Sequence, residues 1–275
     1  MRSALLLAAL LVCGAACAAE DIGALEARLA KDPYDYAARA RLLEAYRDAR
    51  AYSAAYSQAA WLAWFAPSGD PARACGAAYL RDRRSRDRAG AEQRGAAAVA
   101  LTAVQAEELL YNTCLNGAIA EQTPRLRGEV SELIARAGRE EARLRGDPVA
   151  RAALVRLYLT LDDILAIEGS PDALRARQGL LKDAAARAAT VAAWLPDSPG
   201  AHRLAAVVRA RLADIDPRAD MWDLALSECE RAHQLDPSDS SLVEMLWVLN
   251  LRAGRWERAA HWESTLAAMR GRGAP

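Results

Sequence analysis

Residues 32–67 read DPYDYAARARLLEAYRDARAYSAAYSQAAWLAWFAP, and the reading of this stretch decides the fold. Asp32-Pro33 opens it and Pro67 closes it, 67 − 33 = 34 residues later. Leu42, Leu43 and Tyr46, then Tyr52, Ala55, Ala59 and Leu62, recur at steps of three and four. That spacing puts side chains on one face of an α-helix. The stretch predicts two amphipathic helices, Tyr36 to Arg47 and Ala51 to Phe65, joined by a short polar break. A two-helix unit of this period buries its apolar face only by stacking on further units, so copies are expected elsewhere.

They recur toward the C-terminus. Asp236-Pro237 precedes Leu242, Leu246, Gly254, Trp256 and Ala259 at similar offsets. Pro199 to Pro237 spans 237 − 199 = 38 residues, four over the period, and Pro199 to Trp222 exceeds Pro237 to Trp256 by the same four (23 against 19). An insertion in the turn 214–220 accounts for both, after which Trp222, Ala225, Ala232 and Pro237 resume the pattern. Position by position the chain resembles the tetratricopeptide family. Leu42, Tyr46, Tyr52, Ala55 and Pro67 stand where that family has a large apolar residue, an aromatic, a second aromatic, a small residue and a closing Pro; Leu246, Gly254, Trp256 and Ala259 match again, with Asn250 in place of the first aromatic.

The expected fold is all-α, a right-handed superhelical solenoid of such helix pairs with an irregular helical middle. Residues 32–67, 199–237 and 238–268 are repeats and 147–198 a divergent one. Residues 70–146 hold helices from Pro71 to Arg81, Ala91 to Leu115 and Pro124 to Leu144, the last opened by Thr123 as cap with Pro124 at its first position. Composition agrees: the chain is 53% hydrophobic with one Phe, its cations are nearly all Arg, and Ala and Leu dominate, which favours helices over strands.

Thirty-six cations balance 36 anions, so no basic field argues for nucleic acid. The densest basic stretch, Arg81 to Arg88, is diluted by Asp82 and Asp87. It reads as a solvated helix end or turn, with an anionic docking patch as the alternative.

Residues 1–18 read as a signal peptide ahead of a single domain, 19–275. Arg2 forms a positive start, Ala4 to Val12 an apolar run of secretory length, and Ala16-Cys17-Ala18 a cleavage pattern. The expected location is the bacterial periplasm, with a lipid anchor at Cys17 as the alternative. No later run has the length and apolarity of a transmembrane helix. An exported chain permits disulfides, and Cys75 with Cys114 is the expected pair, leaving Cys229 buried.

No Gly-rich phosphate loop, Gly-x-Ser-x-Gly or His-Glu-x-x-His occurs, and His202, His233 and His261 lack ligand spacing. No catalytic residue, metal or cofactor is assigned. The carboxylate doublets Glu107-Glu108, Glu140-Glu141 and Asp162-Asp163 keep one enzymatic alternative open, a helical toroid acting on an envelope glycan; Asp162 and Asp163 are its residues to inspect.

The principal expectation is a non-catalytic scaffold or assembly factor that takes a protein or peptide partner of the cell envelope. A small-molecule carrier accessory to a transporter is a second alternative. The resemblance places partner contacts on the first helix of each pair, at Glu44, Arg47, Asp48, Arg203, Asp214, Glu244 and Arg252. Trp222 and Trp256 are expected between helices, whereas Trp247 and Trp262 in the last pair are candidates for an end-face contact.

Overall fold

The computed structural model describes residues 21–115, 119–216 and 219–272. Among these residues it holds thirteen α-helices and no strand. They are α1 (Ile22–Lys31), α2 (Tyr36–Asp48), α3 (Tyr52–Phe65), α4 (Pro71–Arg81), α5 (Arg83–Glu92), α6 (Gly95–Leu115), α7 (Ile119–Arg143), α8 (Pro148–Glu168), α9 (Pro171–Trp194), α10 (Pro199–Ile215), α11 (Ala219–Leu235), α12 (Ser240–Arg252) and α13 (Trp256–Arg272).

Local chemistry sets the helix starts. Asp21, Asp35, Asp70, Asp82, Asp147, Ser170, Ser198 and Asp239 each cap a helix by accepting a hydrogen bond from a first-turn N–H. In α4, α8, α9 and α10 a Pro follows at once, where its missing N–H costs nothing.

From α8 onward each helix packs on the next, giving the pairs α8/α9, α10/α11 and α12/α13 of an α-solenoid. Near the N-terminus α3 is the hub: it packs on α2, α4, α5 and α6 and touches α8 and α10. The largest apolar cluster follows it, with Tyr56, Leu62 and Phe65 of α3 joined to Val99, Val130, Leu154 and Leu157 of α6, α7 and α8. Ala55, Ala225 and Ala259, the small residues of the repeat pattern, are all buried.

The closest helix approaches are made by glycines. A Cβ on Gly76 would lie 2.6 Å from the Ala59 carbonyl oxygen, and one on Gly200 would lie 1.8 Å from that of Trp64. The second contact is long-range, and others surround it. Ser198 Oγ donates to the Phe65 carbonyl at 2.8 Å, the Asp197 N–H to Tyr34 Oη at 3.2 Å, and the Ser68 N–H to Asp236 Oδ2 at 2.5 Å. The chain thus leaves the first repeat at Pro67, runs through α4 to α9, and returns so that the turns at 196–199 and 236–238 lie against the end of α3.

Asp236 makes this closure sensitive to acid. Burial alone would raise its pKa, but the hydrogen bonds from Ser68 and Ser238 and the charge of Arg73 together hold it below the ordinary 3.8. The unfolded chain therefore takes up the proton before the folded one does. The stabilisation is complete above the ordinary value and is lost as pH falls through the folded one. Thermal unfolding followed by circular dichroism from about pH 6 to pH 3 should show a falling Tm below about pH 4, with a shallower fall in Asp236→Asn. Equal slopes in the two proteins would mean that the closure does not titrate with folding.

Several sequence expectations are corrected. The four extra residues of the 199–237 repeat are not a loop at 214–220. They lengthen α10, which has 17 residues against 13 in α2 and in α12, because the helix runs on through Ile215. The true counterpart of Pro33 and Pro237 is Pro196, each two residues before its helix cap; counted from there the excess is 41 − 34 = 7 residues, four in α10 and three in α11, which begins three residues before Trp222 where α13 begins at Trp256.

Of Arg81 to Arg88, read as a solvated helix end or turn, only Arg81 is a helix end, that of α4; Asp82 caps a new helix, α5. That helix ends at Gln93, whose φ is 47°, so α6 starts at Gly95 rather than Ala91. Pro124 lies inside α7, which begins at Ile119, and the Thr123 hydroxyl donates to the Ile119 carbonyl instead of capping.

Cys75, Cys114 and Cys229 carry thiols, and the expected bridge is not formed. Cys75 belongs to α4 and Cys114 to the exposed end of α6; α4 and α6 are not a packed pair, so their side chains are not brought together. The signal-peptide reading and Cys17 lie outside the described residues. No described helix is long and apolar enough to cross a membrane.

Candidate binding groove

The first helices of the last two repeats present matched stripes. On α10 these are Val207, Ala210, Arg211 and Asp214; on α12 they are Met245, Val248, Leu249 and Arg252. Both run i, i+3, i+4, i+7, one helical face, and each α12 residue is 38 positions after its α10 counterpart. Between them lies an open groove of about 220 Å³ with an apolar floor. Val248 is 37% exposed there.

Charges frame this floor. Arg252 pairs with Asp214 across one end of the groove. Arg211 reaches from α10 to α8, with Nη1 2.5 Å from Asp163 Oδ1, 3.2 Å from Asp162 Oδ2 and 3.3 Å from the Leu159 carbonyl. Burial alone would lower the Arg211 pKa, but the two aspartates more than offset it and hold the guanidinium cationic.

Of the seven expected contact residues, Asp214 and Arg252 line the groove. Arg203 instead points to Asp239, the cap of α12, at 3.4 Å, and Glu244 to Arg270 of α13 at 3.7 Å. Glu44, Arg47 and Asp48 pair among themselves at the end of α2, a helix packed on α1, α3 and α4. Sequence reasoning missed Arg211 and all five apolar floor residues. It named only charged groups for contact and did not consider the apolar positions beside them, although the 38-residue recurrence of the two stripes was visible.

The end face also differs from expectation. Trp262 is half-buried between His233 and His261, each ring centroid 5.2 Å away, and Trp247 is half-buried too. Trp222 packs against the cluster of α10 to α12 as expected, but Trp256 is 68% exposed. Being the first residue of α13, it has no preceding turn of its own helix to rest on. The outward residues of α13 include Glu257, Arg258, His261 and Glu263, a polar cap for the last repeat.

Every member of the three carboxylate doublets is engaged by an arginine. Glu107 pairs with Arg156 and Glu108 with Arg86; Glu140 pairs with Arg143, and buried Glu141 with Arg151 and Arg187. Asp162, 1% exposed, is held by Arg177 at 2.7 Å and by Arg211, and Asp163 by Arg211. Among the described residues no group of three or more His, Cys, Asp or Glu could hold a metal ion. His202 is structural: Nδ1 lies 2.6 Å from Glu228 and Nε2 3.0 Å from the Pro196 carbonyl, tying α10 to α11 and to the preceding turn.

No family model matches the chain, and no curated protein matches it. Among solved structures it is similar to MamA 41-end from Desulfovibrio magneticus RS-1, at 16% identity and a TM-score of 0.31, over 63% of this chain and 98% of that one. It is also similar to the MamA RS-1 ArsTM double mutant, at 14% identity and a TM-score of 0.30 over the same shares. The α-solenoid of helix pairs described above rests on the packing of this chain's own helices.

Proposed function

We propose that this protein is a non-catalytic protein-binding scaffold of the bacterial periplasm, and that the groove between α10 and α12 receives an apolar side chain of its partner. One observation carries the reading: two successive first helices line one groove with the same i, i+3, i+4, i+7 stripe, apolar at its N-terminal end and charged at its C-terminal end, with Arg211 between. The apolar floor supplies affinity, and the Asp214–Arg252 pair with Arg211 orients polar groups beside the anchor. At about 220 Å³ the groove is smaller than the roughly 300–1,000 Å³ of sites that enclose a small molecule, which favours a side chain over a free metabolite. The arginine clamp on Asp162 and Asp163 argues against the glycan-enzyme alternative, whose acid would face its substrate. The export reading of residues 1–18 supports the location.

A photo-crosslinking residue placed at Val248 in the native host, with Glu257 on the outer side of α13 as the control position, tests this. The expected result is a discrete adduct from position 248, recovered in the periplasmic fraction and suppressed by Ala210→Arg, which fills the groove. Equal adducts from both positions, or an adduct indifferent to Ala210→Arg, would remove the groove from the function; recovery in the cytoplasm would remove the location.

A further inference from the structure

Residues 81–94 contain six arginines, at 81, 83, 84, 86, 88 and 94, and three carboxylates, Asp82, Asp87 and Glu92. The fold sorts them unequally. Asp82 caps α5, accepting from the Ser85 N–H at 2.9 Å and the Ser85 hydroxyl at 2.7 Å. Glu92 reaches back to the start of α3 and accepts from the Tyr52 N–H at 3.0 Å and the Ser53 N–H at 2.8 Å. Both acids are thus committed to backbone donors that helix starts leave unsatisfied. Arg86 is tied to Glu108 of α6. What remains exposed is Arg81, Arg83, Arg84, Arg88 and Arg94, five cations against two exposed acids: the cap Asp82, and Asp87, 3.9 Å from Arg83.

The face is built as well as charged. Arg88 lies over the Tyr52 ring, 5.2 Å from its centroid, which joins α5 to the first turn of α3. The guanidinium groups of Arg84 and Arg94 make no ion pair among the described residues and act on Asp82 and Glu92 through their charge. On a chain whose 36 cations and 36 anions cancel, this is a local cationic surface.

We propose that the α5 face is a second docking site, separate from the α10/α12 groove, and that it takes a carboxylate-rich segment of a partner protein. Guanidinium groups match carboxylates in a planar, two-point geometry, and several on one face reward a ligand that carries several acids. A lipid surface fits less well. The inward residues of α5, Ser85 and Ala89, are buried, and none of the exposed large apolar side chains falls within residues 81–94. The helix therefore has no apolar face to insert at a membrane interface.

The test uses the full chain with a fluorescent deca-glutamate peptide and, separately, phosphatidylglycerol vesicles, at low ionic strength. Wild type should bind the peptide, lose it as salt is raised, and bind it about tenfold more weakly as Arg84→Glu/Arg94→Glu. Circular dichroism should show unchanged helicity in that variant, because neither residue is paired or buried. Val248→Arg should retain full peptide binding, which separates this site from the groove. The proposal is overturned if wild type does not bind the peptide, if the double variant binds it equally well, or if vesicles are bound and the peptide is not.

Discussion

Gly200→Ala lowers the free energy of unfolding by about 3 kcal/mol or more, at the top of the range for inserting atoms into a packed contact. The new Cβ would lie 1.8 Å from the Trp64 carbonyl oxygen, 2.8 Å from its carbonyl carbon and 2.9 Å from the Phe65 Cα. All three are backbone atoms, so no rotamer change relieves the clash. The start of α10 must withdraw from the end of α3, and the bond from Ser198 Oγ to the Phe65 carbonyl goes with it. Gly179→Ala is the control: it lies within α9 with nothing within 4 Å of the added methyl, and should be neutral or more stable by about 0.5–1 kcal/mol. Urea unfolding followed by tryptophan fluorescence measures both. Equal stabilities for the two variants would show that the chain does not close on itself at this point.

Asp162→Ala costs about 2–3 kcal/mol, and Asp163→Ala less than about 1 kcal/mol. The two aspartates are neighbours in sequence and share Arg211, but they differ in surroundings: the side chain of Asp162 is 2% exposed and that of Asp163 44%. Removing Asp162 leaves Arg177 without its 2.7 Å partner in a mostly enclosed site. The expected cost stays below that of a fully buried pair because Arg177 and Arg211 keep 19% and 31% of their side-chain surface and can turn toward water. Chemical unfolding of the two single variants separates the cases, and equal losses would refute the assignment of Asp162 as the buried anchor. The same proteins test the chemistry: a hydrolytic or lyase activity abolished by Asp162→Asn, with the fold retained, would overturn the scaffold reading.

The helix pairs were legible because each is written in a short window. Leu42, Leu43 and Tyr46 mark one face of α2, Asp32-Pro33 and Asp236-Pro237 stand just ahead of helix starts, and the offsets of Ala55, Ala225 and Ala259 mark crossings that are buried in the folded chain. Boundaries failed where a side chain chose between two local roles. Asp82 could have been a diluting charge but starts a helix, and Thr123 could have been a cap but bonds back within one. The four-residue excess was countable from sequence, yet helix and loop are equally good at absorbing it in a count; packing of α10 against α9 and α11 selected the helix.

The candidate sites were legible only in part. Asp214 and Arg252 followed from repeat offsets, whereas Arg211 acts by reaching Asp162 and Asp163, 49 and 48 residues away on another helix. The cationic face needed knowledge of where Asp82 and Glu92 spend their oxygens, and for Glu92 the answer lies 40 residues upstream at Tyr52.

By itself the sequence determined that this chain is helical, that its helices come in pairs and where most of them begin, because caps, prolines and a 3.6-residue period act between near neighbours. Tertiary structure alone decided that the first repeat closes on turns 133 to 168 residues later, that two stripes form a groove, and that five arginines of residues 81–94 stay exposed while Glu92 is drawn to the start of α3. Contacts at such separations leave no period in the chain. They depend on which surfaces meet once the helices have packed.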